Sequence, residues 1–423
     1  MMMLTALAGL LWSYPLDDFD RTQIRRLEWQ QAIENGESRG RKLHSGATWS
    51  AEEIRLRLDS GPGRSFRLTP DSVQDPELRT ALEKVTTGGF QRYGIAIVDM
   101  TDPARIRFAG HNEHLKQTPG SVAKLLVATG FLGQVARHFP VPKDREAFLR
   151  TTSFTADDWA QPNHHEVPVV KKGQRTRVRR VVSGDVFTAW EWLDHALSPS
   201  SNAAATMVWR EAAYLSDGAT TAAALSDLEG SVVPAGARDA WARTLGRAGM
   251  AEVAFDVVEA PIRDAGIEVE DFHVRTFFTT RPGRYLAARS SRATPFAVVQ
   301  WALAMEQGRL VDPWTSRELK KLIYLTRRRI RYAYAKELRD SAVYFKSGSL
   351  YGCKPEKDFS CGKYRGNRIN VLNSLAIVET RRPSKPMMVY AVAVMSNVLK
   401  RNASYDHAVL AGRIHEMMLE LHP

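Results

Sequence analysis

The sequence predicts an α+β fold, in which an antiparallel sheet flanked by N- and C-terminal helices carries an inserted all-helical subdomain. Three observations point to it. Two strand-like segments, "YGIAIVDM" and "ARIRFAG", meet around the turn-forming "DMTDPA". Three more, "SAVYFKSGSL", "RINVLNSLAIVET" and "MMVYAVAVMS", alternate or run apolar near the C-terminus. Between the two groups the apolar pattern is helical, and "SYDHAVLAGRIHEMMLELH" closes the chain as an amphipathic helix. A sheet assembled from both ends of the chain thus brackets helices from its middle.

The elements follow in order. Residues 1–75 read as a partly helical extension. Its opening, "MMMLTALAGLLWSYP", holds a short apolar stretch from Leu4 to Trp12 with no basic residue before it and no clear small-x-small site, a weak export signal. A helical piece around Ile24 to Ile33 is stopped by Asn35-Gly36, the capping-box pair Ser50 and Glu53 announces a second, and "DSGPGRS" breaks the chain. The main domain, 76–423, begins with a helix from Pro76 to Lys84 ended by Gly88-Gly89.

After the first two strands a long apolar helix opens at Thr118-Pro119 and runs through "SVAKLLVATGFLGQVARHF". The stretch from Pro140 to about Arg180 is polar and irregular. "DVFTAWEWLDHALSPSSNAAATMVWREAAYL" reads as two helices interrupted at residues 198–202. A polar, acidic region then extends to about 290, before "TPFAVVQWALAMEQGRL", a helix with Thr294 as cap and Pro295 at its first position. The helical subdomain spans about 118–310.

A chain of 423 residues can bury a sizeable core, and 44% apolar with 25% charged residues is a globular composition. No stretch reaches the ~20 apolar residues of a spanning helix. The net charge of +12 is spread out; its densest runs, "KKGQRTRVRR" (171–180) and "RRRIRYAYAK" (327–336), fit no nucleic-acid signature and read as a solvated basic face. Nucleic acid is not expected as a partner. His164-His165 reads as an exposed loop, since no third ligand has metal spacing, and neither metal nor cofactor is expected. The only cysteines, Cys353 and Cys361, lie eight apart, close enough to bridge one hairpin in an oxidising compartment.

The chemistry resides in short motifs. Ser121 and Lys124 stand three apart at a helix start, on one face, where a serine hydroxyl and an amine can meet. Spacing alone is weak, for Ser360 and Lys363 share it in a loop-like setting. Ser121-Val122-Ala123-Lys124 is followed by Ser200-Ser201-Asn202 in an inter-helix loop and Lys346-Ser347-Gly348 on a strand.

In order and context these three resemble the S-x-x-K, S-x-N and K-[ST]-G motifs of the penicillin-recognising serine hydrolases, the superfamily of class A β-lactamases and D-alanyl-D-alanine peptidases. The resemblance covers roughly residues 80–423 and includes the Thr294-Pro295 helix. It implies a β-lactamase/transpeptidase-like fold and serine acyl transfer on an amide next to a carboxylate. Ser121 would be the nucleophile, Lys124 its base and Ser200 a proton relay to the leaving nitrogen. Asn202 would bind the substrate amide, Lys346 and Ser347 its carboxylate, and the N–H groups of Ser121 and Ser349 the oxyanion. Such an enzyme is expected to be periplasmic or exported.

The sequence departs from class A β-lactamases where those enzymes carry an E-x-x-L-N motif. The region before Thr294 is longer and lacks it; Glu268 and Glu270 in "IEVEDF" stand near the right distance without matching. This favours a D-alanyl-D-alanine-type peptidase or penicillin-binding protein acting on a peptidoglycan peptide. A β-lactamase with an unrecognised deacylating base remains the alternative. From another class comes a non-catalytic protein on the same fold that binds cell wall, or an anionic envelope polymer, through its basic surface.

Overall fold

Strand pairing runs between residues almost three hundred apart, joining the two ends of the chain. In this computed structural model, which describes residues 12–170, 176–217 and 230–423, five strands form the central sheet. They are β1 (Gly94–Asp99), β2 (Arg107–His111), β3 (Ala342–Gly352), β4 (Ile369–Arg382) and β5 (Lys385–Asn397). Their spatial order is β3-β4-β5-β1-β2, and every neighbouring pair is antiparallel. Ile97 stands between Val392 and Ala109, and Gly348 opposite Asn373.

Side chains two apart share a face of a sheet, and here the two faces feed two cores. Ala96, Val98, Ala391 and Ala393 pack against the helical layer. Ile95, Ile97, Val392 and Val394 pack with residues of the first and last long helices of the main domain.

The helices used below are α1 (Arg26–Glu34), α2 (Pro76–Val85), α3 (Lys124–His138), α4 (Pro142–Thr151), α5 (Ala189–Leu197), α6 (Asn202–Ser216), α7 (Asp239–Asp264), α8 (Pro295–Glu306), α9 (Pro313–Leu322) and α10 (Ala403–Leu421). Helices α2 and α10 cover one face of the sheet, α3 and α8 the other. Helix α3 is buried on nearly every side, as a helix apolar all round must be. Gly130 lets it approach α7 closely; a Cβ there would lie 2.4 Å from the Val257 carbonyl oxygen. Thr294 caps α8 as expected, accepting from the Ala297 N–H at 3.1 Å.

Several expectations are corrected. The stretch 140–180 contains α4 and strands at Ser153–Thr155, Glu166–Val169 and Arg177–Arg180, elements of three to ten residues, too short for periodicity to stand out. The acidic region contains the 26-residue α7, whose pattern is broken by Gly246 at φ +63°. At Ser50 the reciprocal cap bonds with Glu53 form, at 2.7 and 3.2 Å, on a single turn that never becomes a helix, because the chain leaves at once to bury Ile54. Helix α9, unanticipated, is capped by Asp312, which accepts from the Thr315 N–H at 2.7 Å. Small sheets of two and three strands rim the inserted helices.

The N-terminal segment packs into the molecule. Tyr14, Ile24, Leu27, Ile54 and Leu58 are buried in the same core as α3. Arg26 pairs with Asp194 of α5, both almost fully buried, and Arg57 reaches Glu379 of β4 at 2.6 Å. The apolar stretch from Leu4 and the first half of the 171–180 run lie outside the described residues. No helix among the described residues is long and apolar enough to cross a membrane.

Candidate active site

Ser121 stands at the junction of sheet and helical layer, in a 3-10 turn (Gly120–Ala123) that leads into α3. Two glycines let that turn press against β3. Gly120 has φ +52°, and a Cβ on it would lie 3.2 Å from the Ser349 nitrogen; a Cβ on Gly348 would lie 2.4 Å from the Ser121 nitrogen and 2.5 Å from the Pro119 oxygen. The N–H groups of Ser121 and Ser349 are thereby neighbours. Asn373 of β4 pins the turn, donating to the Thr118 oxygen at 2.8 Å and accepting from Gln117.

Lys124, one turn further, is completely buried. Its Nζ donates to the Ser200 carbonyl at 2.5 Å and to Asn202 Oδ1 at 2.7 Å, and lies 3.3 Å from Ser200 Oγ. Burial, with the charge of Lys346 nearby, holds it well below the usual lysine range. A neutral amine has two N–H bonds and one lone pair, and the two short contacts occupy both bonds. The lone pair is left to accept a hydroxyl proton.

The loop between α5 and α6 supplies the next residues. Ser200 adopts φ +61°, a conformation costly for a residue with a side chain, and its carbonyl is tied to Lys124. Ser201 caps α6 through the Ala204 N–H at 3.2 Å, which sets Asn202 at the first helical position. Ser200 Oγ bridges the two lysines, for Lys346 Nζ donates to it at 2.8 Å. Burial, then the charge of Arg331, brings Lys346 down to about 7.

On β3, Lys346 and Gly348 face Ser121, while Ser347 and Ser349 face the other way, as the pleat requires. The second pair meets Arg331, whose guanidinium donates to Ser347 Oγ at 2.6 Å, Ser349 Oγ at 3.1 Å and the Tyr364 hydroxyl at 3.0 Å. All eight sequence-predicted site residues come together around one cleft of about 680 Å3, seven on its wall and Lys124 just beneath. Ser360 is not on that wall, and Lys363 lines its outer edge.

Sequence reasoning missed Arg331, Tyr364 and the Gln117–Asn373 clasp. Arg331 sits in the basic run 327–336, which is only in part the solvated face expected: Arg327, Arg328 and Lys336 are exposed, Arg329 and Arg331 half-buried. Arg327 lies over the rings of Trp12 and Trp29, at 4.2 and 5.0 Å, and Arg329 donates to the carbonyls of Leu338 and Ser341. Only the run itself hinted at any of this, and nothing in it singles out one arginine. His165, expected in an exposed loop, is half-buried on the cleft wall; burial and then the charges of Lys124 and Lys346 bring it down to about 3.

Glu268 and Glu270 are both exposed and off the cleft, Glu270 bound to Arg275 at 2.9 Å. Val274, Thr276 and Phe278 occupy the wall beyond them, and Phe278 has its ring 5.0 Å from Lys124 Nζ. Among the described residues no carboxylate lines the cleft. None of them forms a cluster of three or more metal-ligating side chains either. Cys353 and Cys361 are joined by a disulfide in the excursion between β3 and β4 that carries Tyr364.

No protein-family model matches the sequence, and no curated protein does. Solved structures do. A β-lactamase from Chitinophaga pinensis is 15% identical at a TM-score of 0.52, over 82% of this chain and all of that one. The TLA-3 extended-spectrum β-lactamase is 14% identical at 0.51, over 81% and 98%. A class A β-lactamase from Bacteroides cellulosilyticus is 12% identical at 0.50, over 82% and 98%. At such identities the likeness is one of fold: the chain has the fold of these β-lactamase structures.

Proposed function

We propose that the protein is a serine acyl-transfer hydrolase of the penicillin-binding, D-alanyl-D-alanine peptidase type, acting on an amide next to a carboxylate. The observation that carries the reading is the Lys124–Ser200–Lys346 relay, connected by hydrogen bonds on the cleft that Ser121 lines.

The geometry supports the following course. Neutral Lys124 takes the Ser121 proton as Oγ bonds to the acyl carbon. Negative charge developing on the carbonyl oxygen meets the N–H groups of Ser121 and Ser349. The C–N bond then breaks, and the leaving nitrogen takes a proton through Ser200, replenished from the lysines. The substrate carboxylate sits against Lys346, Ser347 and the guanidinium of Arg331, which is planar and suited to two-point contact. Asn202 holds the amide of the acyl half. Water finally cleaves the ester. The Chitinophaga pinensis structure is titled a β-lactamase, and the same relay would acylate with a β-lactam. The absence of a carboxylate from the described cleft wall favours the peptidase reading over an efficient β-lactamase.

A fluorescent penicillin should label the protein covalently. Ser121→Ala should abolish the label and Lys124→Ala should slow it about a thousandfold or more; label persisting on Ser121→Ala would refute the assignment. Periplasmic or exported placement accompanies this reading, because the proposed substrates lie there and the disulfide suits an oxidising compartment.

A further inference from the structure

The proposed acyl transfer leaves His165, half-buried on the cleft wall, without a task. Its backbone is held on both sides by buried Asn163, whose Oδ1 accepts the His165 N–H at 3.2 Å and whose Nδ2 donates to the His165 carbonyl at 3.1 Å. Of the charges that act on its ring, the first two are Lys124 and Lys346, the pair that brackets Ser200 Oγ. The ring thus stands on the Ser200 side of the cleft, where the nitrogen of the substrate departs. Its Nδ1 is sealed from solvent and has no hydrogen-bond partner among the described residues. A neutral imidazole has one N–H and one lone pair, and with nothing bound at Nδ1, a lone pair at Nε2 costs the ring no hydrogen bond. Burial and the two lysines bring the ring down to about 3, so it is neutral at any ordinary pH.

The other polar groups on the described wall are committed or turned to solvent. Both lysines are bound to Ser200, a guanidinium such as that of Arg331 only donates, the Tyr364 hydroxyl accepts from Arg331, and His164 is exposed. Resting on the acyl-transfer reading, we infer that His165 is the group that activates water for hydrolysis of the acyl-enzyme. Once the amine has left, water takes its place. As the water oxygen bonds to the acyl carbon, one of its protons passes to His165 Nε2. The bond from that carbon to Ser121 Oγ then breaks, Oγ takes the proton back from the ring, and the free acid departs with the imidazole neutral again. Protons and electron pairs balance with water as the only co-reactant. A base of such low basicity is a weak acceptor and a strong donor, so the uptake of the proton limits the step and release is slow.

The test follows the penicillin adduct of the full-length protein by intact-protein mass spectrometry after excess drug is removed. A base matched to its task is worth about a hundredfold or more; for one this weak, His165→Gln should lengthen the life of the adduct about tenfold more than it slows its formation. Hydroxylamine attacks an ester without a base, and it should release the adduct from both proteins at the same rate. Slower release by hydroxylamine in the variant would mean a displaced ester, and a purely structural histidine. Equal lifetimes in water, with an adduct on Ser121, overturn this inference alone. A protein that takes no adduct at all overturns the acyl-transfer reading, and this inference with it.

Discussion

Gly348 is the residue at which one methyl group separates a working site from a displaced one. Its Cβ would fall 2.4 Å from the Ser121 nitrogen, a contact neither backbone can absorb without moving. Gly348→Ala should therefore fold but push the turn off β3 and spoil the alignment of the Ser121 and Ser349 N–H groups. A loss of about a hundredfold in penicillin labelling is expected, the scale of removing an oxyanion donor, and a wild-type rate would show that the two backbones do not need this contact. On the proposed reading, the lysine pair sets the pH dependence of labelling. Lys124 accepts a proton only when neutral, so labelling falls as pH drops through its lowered value. Lys346, at about 7, loses its charge and its hold on a carboxylate as pH rises. The two titrate as a pair, giving a second-order labelling rate with an acid limb from Lys124 and an alkaline limb from Lys346. Lys346→Arg should flatten the alkaline limb alone; a limb unchanged by that substitution would assign it to another group.

At the scale of elements, the site loop depends on a segment remote in sequence. Ser13 donates its N–H to Ser198 Oγ at 2.9 Å, two residues before Ser200, and Arg26 of α1 holds both the Ser13 carbonyl and Asp194 of α5. The N-terminal segment and α5 thus brace the turn that keeps Ser200 at φ +61°. Arg26→Ala leaves Asp194 buried without its partner, a change that typically costs about 3–5 kcal/mol. Chemical denaturation should show that loss, and labelling at temperatures where the variant is folded should fall as Ser200 loosens. Normal stability would mean that Asp194 finds another partner or a proton.

On the proposed reading, the whole molecule decides the fate of an acyl-enzyme. The inserted helices and the segment 272–279 wall the cleft with Val274, Thr276 and Phe278, and the candidate acids Glu268 and Glu270 are exposed and off its wall. On the proposed reading, water beside an ester at Ser121 would find no carboxylate on the described wall of the cleft to activate it. Intact-protein mass spectra after addition of a penicillin should show an adduct lasting many minutes. Rapid return to the free mass, with hydrolysed drug in solution, would instead assign a β-lactamase and a base elsewhere.

The strands around 93–111 and 341–397 and the closing helix were legible because apolar runs bounded by turn residues mark strands buried on both faces, and the three motifs were legible because each pairs particular residue types with a particular element. That much the sequence determined: a sheet from both chain ends, and the eight residues that meet at one cleft. Arg331 and Tyr364 stayed hidden because a guanidinium's role depends on where a turn at φ +54° aims it, and neighbouring arginines in the same run are spent on tryptophan rings and carbonyls. The N-terminal segment looked like an appendage for the same kind of reason. Its apolar residues are too sparse to announce a face, and only the grooves between α5, α9 and the sheet show what they fill. Local period is written in a few adjacent residues, whereas the partner of a buried charge or the wall of a cleft is chosen by chain brought together from hundreds of positions away.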